Sequence, residues 1–188
     1  VLQSLVIYLI ILLFPTQEQG SVSIIDTAIL ANLQQLILDV SSVGLMLEEE
    51  KKHTRPTWEA WINMTSKRRA VFSLYLIHWA MSSYHGLSPF NCEELGDMLG
   101  PAPKVLWQAT DREEWELNYL HWLIEWGNQE YLQGEIAKIK PGVSLDRRSE
   151  QWLVETDELG IILMSLGERE NMKPFYLILS ANRASERN

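Results

Sequence analysis

The sequence predicts an all-α protein of several helices, with one Gly/Pro-rich irregular segment around 86–110. Three observations predict it. Apolar residues recur at spacings of three and four, which puts them on single helical faces, while the strict alternation of a half-buried strand is scarce. N-cap patterns with an acid three positions on, such as Asp111-Arg112-Glu113-Glu114, stand in front of apolar runs. Proline and glycine fall where such helices start or stop.

Leu5 to Phe14 is an unbroken apolar run. It is shorter than the ~20 residues that a membrane-spanning helix needs. No Lys or Arg precedes it, as a secretory signal would require. It reads as a buried core helix that stops before Pro15, because the residue before proline is biased away from the helical region. The chain opens at Val1 inside this helix, as expected of a piece of a longer protein.

The next helix is expected from about Ser23 into the charged stretch Glu48 to Lys52. Its apolar face is Ile25, Ile29, Leu33, Leu36, Val40, Val43 and Leu47, widened by Leu30, Ile37 and Leu38. Pro56 suits the first turn of a third, long helix. That helix carries Trp58, Trp61, Phe72, Leu76 and Trp79 and ends at His85-Gly86. Within the irregular segment, Asn91-Cys92-Glu93-Glu94 predicts a short helix over 91–99. Asp111 then opens a helix closed by Gly127. A further helix is expected over about 129–139, before Pro141-Gly142. Ser144 is expected to cap a last long helix that carries Trp152, Leu159, Leu163 and Leu166 and closes at Gly167. Phe175 to Leu179 fits either a short helix or a strand, and 181–188 is expected to be a mobile tail. With no repeat and no flexible linker, residues 1–188 read as a single helical domain.

Composition narrows function. The formal charge of −9 opposes a phosphate backbone, so DNA binding by this segment itself is not expected. One cysteine, Cys92, closes no internal disulfide and builds no cysteine-based zinc cluster. The four histidines include no i, i+4 pair of the zinc-binding kind, and no P-loop, nucleophile elbow or dinucleotide fingerprint occurs. No metal, no cofactor and no catalytic residue is therefore assigned. An enzyme would have to pair His121 or His85 with a carboxylate from elsewhere in the fold.

Two clusters stand out. Trp115, Tyr119, Trp122 and Trp126, spaced four, three and four, line one helical face. They suit helix packing, or a groove for a partner helix or an apolar small molecule. Lys67-Arg68-Arg69 covers most of a helix circumference, so one of its cations is expected to turn inward and require a carboxylate. This cluster is expected to form structural ion pairs.

The order of several motifs resembles a known family. Trp58-Glu59-Ala60-Trp61 is followed by Ser66-Lys67-Arg68-Arg69 and the apolar helix to Trp79. Then come the segment Pro101 to Ala109, Glu114-Trp115, and Pro141 to Glu150 with Trp152-Leu153. Over about residues 2 to 165 this is similar to the C-terminal part of the regulatory region, the middle homology region, of fungal-specific zinc-cluster transcription factors. The resemblance implies an all-helical, non-catalytic regulatory domain that acts on RNA polymerase II transcription in the nucleus, through protein contacts, self-association or a small inducer. The cytoplasm stays open as a compartment. The chain lacks the family's six-cysteine cluster, so DNA and zinc would be bound only by a module outside it. The alternatives are a small-molecule sensor or scaffold with an aromatic pocket, and attachment to a membrane through residues 5–14, although no membrane partner is expected.

Overall fold

The computed structural model describes residues 2–13, 27–84, 87, 95–127, 129–140 and 142–171. Among them the chain forms nine helices and no strand, in keeping with the all-α expectation. They are α1 (Leu2–Leu13), α2 (Thr27–Ser42), α3 (Glu48–Lys51), α4 (Trp58–Tyr84), α5 (Lys104–Trp107), α6 (Arg112–Trp126), α7 (Gln133–Ile136), α8 (Arg147–Glu155) and α9 (Glu158–Asn171). The expectations for Pro15, the start at Ser23, His85-Gly86, Asn91 to Glu94, Phe175 to Leu179 and the 181–188 tail fall outside the described residues.

The long helix α4 organises the molecule. Thr57, one residue after Pro56, caps it by accepting from the Ala60 N–H at 3.2 Å. Pro56 thus precedes the helix instead of lying in its first turn. Val71, Phe72, Leu74, Tyr75 and Trp79 bury against Leu33 and Ile37 of α2, Leu9 of α1, and Leu163 and Leu166 of α9. Helix α1 uses one side only. Leu2, Leu5, Val6 and Leu9 face this core, whereas Ile7, Tyr8, Ile10 and Ile11 are exposed. The core helix expected from the apolar run is thus buried on one side only. In α2 the buried line is Leu30, Leu33 and Ile37, while Ile29 and, just past the helix, Val43 are exposed.

Two expected helices are each divided. The chain leaves α2 at Gly44, whose φ of +78° suits glycine. It buries Leu45 and restarts at α3, where the Leu47 N–H donates to Glu50 Oε2 at 2.8 Å. The last long helix breaks at Thr156-Asp157. Asp146, not Ser144, caps α8 by accepting from the Ser149 N–H at 2.8 Å. Asp157 caps α9, accepting from Leu159 and Gly160 N–H groups at 3.1 and 3.3 Å, and α9 continues past Gly167 to Asn171.

The described part of the expected 91–99 helix, residues 95–99, is instead a turn leading to an isolated antiparallel bridge between Leu99 and Leu132. Around it the Gly100 N–H donates to Tyr131 O, Gln133 N–H to Met98 O and Gly134 N–H to Gly96 O, at 2.9 to 3.0 Å. These bonds take the backbone that an expected 129–139 helix would have used, leaving only the single turn α7.

Candidate functional site

Helix α6 is placed by its caps. Asp111 Oδ1 accepts from the Glu114 N–H at 2.9 Å, and Glu114 Oε2 accepts from the N–H and hydroxyl of Thr110. Gly127 ends the helix at φ +63°. This frame points Trp115, Tyr119, Trp122 and Trp126 to one side, but they do not share one environment. Trp115 and Tyr119 are fully buried on Trp61 of α4, with ring centroids 5.4 and 6.4 Å away. Trp126 belongs to a second cluster with Tyr131, Ile136, Ile139 and Trp152. Trp122 borders both clusters, and its ring lies 5.7 Å from that of His53.

The stripe is therefore packed, not open as a groove. A cavity of about 40 Å³ adjoins it, walled by Trp61, Tyr119, Trp122, Trp126, Tyr131 and Trp152. Pockets for drug-sized apolar ligands begin at roughly 300 Å³, so a ligand of that size does not fit in this cavity.

One wall of this cavity is charged, and it is where the basic cluster leads. Arg68 is 3% exposed. Its Nη2 donates to Glu50 Oε1 at 2.6 Å and Thr65 Oγ1 at 2.9 Å; its Nη1 donates to Glu50 Oε2 at 2.9 Å and Leu45 O at 3.1 Å. The paired fork and carboxylate satisfy one another, which permits the charge to be buried. Arg69 turns the other way. It pairs with Asp157 at 2.6 Å and lies 4.3 Å over the Trp107 ring. Lys67 is exposed. The three consecutive cations thus serve α3, α9 and solvent.

Glu130 completes the charged wall, and sequence reasoning missed it. Both carboxyl oxygens are buried, with no hydrogen-bond partner among the described residues. Burial, reinforced by the Glu50 charge and only partly offset by Arg68, pushes its pKa up to about 8. Its one sequence signal is its position between Trp126 and Tyr131. Burial likewise raises the Tyr119 and Tyr131 hydroxyls above their usual range.

The histidines form no catalytic pair among the described residues. His121 is exposed and makes no hydrogen bond or ion pair there, while His85 lies outside the described residues. His53, at φ +50°, uses Nε2 against the Leu123 carbonyl at 3.1 Å. Accepting carbonyls require that nitrogen to carry the proton. Desolvation lowers the pKa of His53 and of His78, which lies 3.5 Å from the Ser82 hydroxyl. Among the described residues no group of three or more His, Cys, Asp or Glu is placed to hold a metal, and no helix is long and apolar enough to cross a membrane. Cys92 lies outside the described residues.

The opposite side of α6 is apolar too. Leu117, Leu120 and Ile124, spaced three and four, are 56, 46 and 79% exposed. Exposed Glu113, Glu114 and Glu125 flank them. The aromatic periodicity of this helix drew attention to its packed side and hid the open one.

Comparison with known proteins finds no matching family model, no matching curated protein and no matching solved structure.

Proposed function

We propose that this chain is a non-catalytic regulatory or effector domain of a fungal RNA polymerase II transcription factor, working in the nucleus by protein contacts and without a DNA-binding cluster of its own. The motif order resembling the zinc-cluster regulatory region supplies the biological setting. The observation that carries the protein-contact reading is the second face of α6. A helix that buries Trp115, Tyr119 and Trp126 on one side would ordinarily be polar on the other. Here that side presents Leu117, Leu120 and Ile124 within acidic flanks. Anchors at i, i+3 and i+7 are the pattern with which one helix docks on another. The acidic flanks select a partner whose apolar face is edged with Lys or Arg.

The test tethers the chain to an unrelated DNA-binding module upstream of a reporter. The fusion is expected to shift transcription relative to the module alone. The pair Leu120→Asp and Ile124→Asp should abolish the shift while leaving stability within about 0.5 kcal/mol, as for solvent-facing changes. Equal output from the fusion and the bare module would sink this function. Retained output in the double variant would remove the α6 face from it.

A further inference from the structure

We propose that the aromatic cavity between α4, α6 and Trp152 is a binding site for a single primary ammonium group, held by the Glu130 carboxylate. The proposal does not depend on the transcriptional reading above. It rests on three features of the cavity: its charge, its walls and its size.

With Glu130 ionised, the buried charges lining the cavity are Glu50 and Glu130 against Arg68, a net charge of −1. Arg68 is committed to Glu50, Thr65 and Leu45 and offers Glu130 no hydrogen bond. Both Glu130 oxygens thus want a donor that the described residues do not provide. One added cation restores neutrality and supplies that donor. The walls select for it as well, since the faces of Trp61, Tyr119, Trp122 and Trp126 carry the negative quadrupole that attracts a desolvated cation.

Size sets the class. At about 40 Å³ the cavity is small, but it is larger than the ~10–15 Å³ that one water needs. It has room for a small ammonium group and a water that accepts from the Trp152 Nε1–H, which has no acceptor among the described residues. A quaternary ammonium carries no N–H to donate to the Glu130 oxygens. A neighbouring groove of about 330 Å³ shares Glu50, Leu99 and Glu130 with the cavity and is bordered by Lys51, His53, Glu135 and Arg148. A carbon chain attached to the ammonium can lie in this groove.

In the empty site Glu130 escapes the burial cost by holding a proton, and binding releases it. Glu50, Arg68 and Tyr119 face it inside the cavity, with Lys51, His53, Glu135 and Arg148 along the groove. The test is a tryptophan-fluorescence titration of the full chain with methylammonium chloride, in amine-free buffer at constant ionic strength. The expected result is a saturable change whose apparent Kd weakens about tenfold from pH 7 to pH 6, one proton being displaced per cation. Glu130→Gln should abolish saturation while its circular dichroism stays native. Trp122→Leu should weaken binding and keep the pH slope. Tighter binding of n-butylammonium than of methylammonium would identify the source as a lysine side chain, and weaker binding would identify a free small amine. A response no different from added sodium chloride would show that the cavity holds water alone and overturn the proposal. Unchanged binding by Glu130→Gln, or equal binding of tetramethylammonium, would overturn it too.

Discussion

Removing Arg68 would leave the Glu50 carboxylate buried without a counter-charge. Glu50 and Arg68 side chains are 2% and 4% exposed, so solvent does not reach in to compensate. Breaking such a pair from one side costs about 3–5 kcal/mol, although replacing both members by apolar groups is often close to neutral. Arg68→Met is expected to lower stability by about that amount in urea titrations. Adding Glu50→Leu should restore part of the loss, but not the part owed to the Leu47 N–H that Glu50 caps. A cost for the single change below about 1 kcal/mol would mean that the pair is solvated. The sequence announced this site through Lys67-Arg68-Arg69, because three adjacent cations cannot all face water on a packed helix. It did not announce Glu130, since a lone acid carries no period. Nor did it show that Trp61, far back in the chain, covers Trp115 and Tyr119.

At the scale of elements, the junction between α8 and α9 leaves no room for a side chain at Gly160. Gly160 lies where a Cβ would collide with Thr156 Oγ1 and crowd Trp152. Alanine in a helix interior ordinarily gains about 1 kcal/mol over glycine, while overpacking costs about 1–3 kcal/mol. The collision outweighs the propensity, so Gly160→Ala is expected to destabilise, and Thr156→Ala in the same chain should relieve part of the loss. Thermal melts of the three variants check this; a raised melting temperature for Gly160→Ala would contradict it. Helix ends that rest on local chemistry, such as Asp111 with Glu114 and Gly127, were legible in the sequence. The interruptions at Gly44 and at Thr156-Asp157 were not. There the apolar period runs on unbroken, and the break is set by distant partners: Arg68 for Leu45 and Glu50, Arg69 for Asp157.

For the whole molecule, Glu130 makes stability depend on pH. The unfolded chain releases this proton near 4.5 and the folded chain holds it to about 8. Glu130 therefore favours the fold fully below about pH 4.5. This contribution is lost as pH rises towards 8 and changes no further above it, by at most about 1.4 kcal/mol per pH unit. Urea midpoints should fall from pH 5 to pH 8 in amine-free buffer, and Glu130→Gln should flatten that fall. Parallel curves would remove Glu130 as the cause. The helical class was legible from periodicity alone, because it requires only that each face be apolar. The division of the interior into separate clusters joined at Trp122 was not, because it depends on which faces meet.

The pairing of Leu99 with Leu132 has a topological consequence. The backbone bonds around it bring residues 96–100 beside 131–134, so the chain between them, with α5 and α6, leaves and returns at one point. Closing a loop costs free energy that grows only with the logarithm of its length. Residues inserted at the exposed turn before α6 would lengthen this excursion without moving its two ends. The exposed turn before α6 can therefore vary in length, while α6 itself stays seated on Trp61 and Trp152.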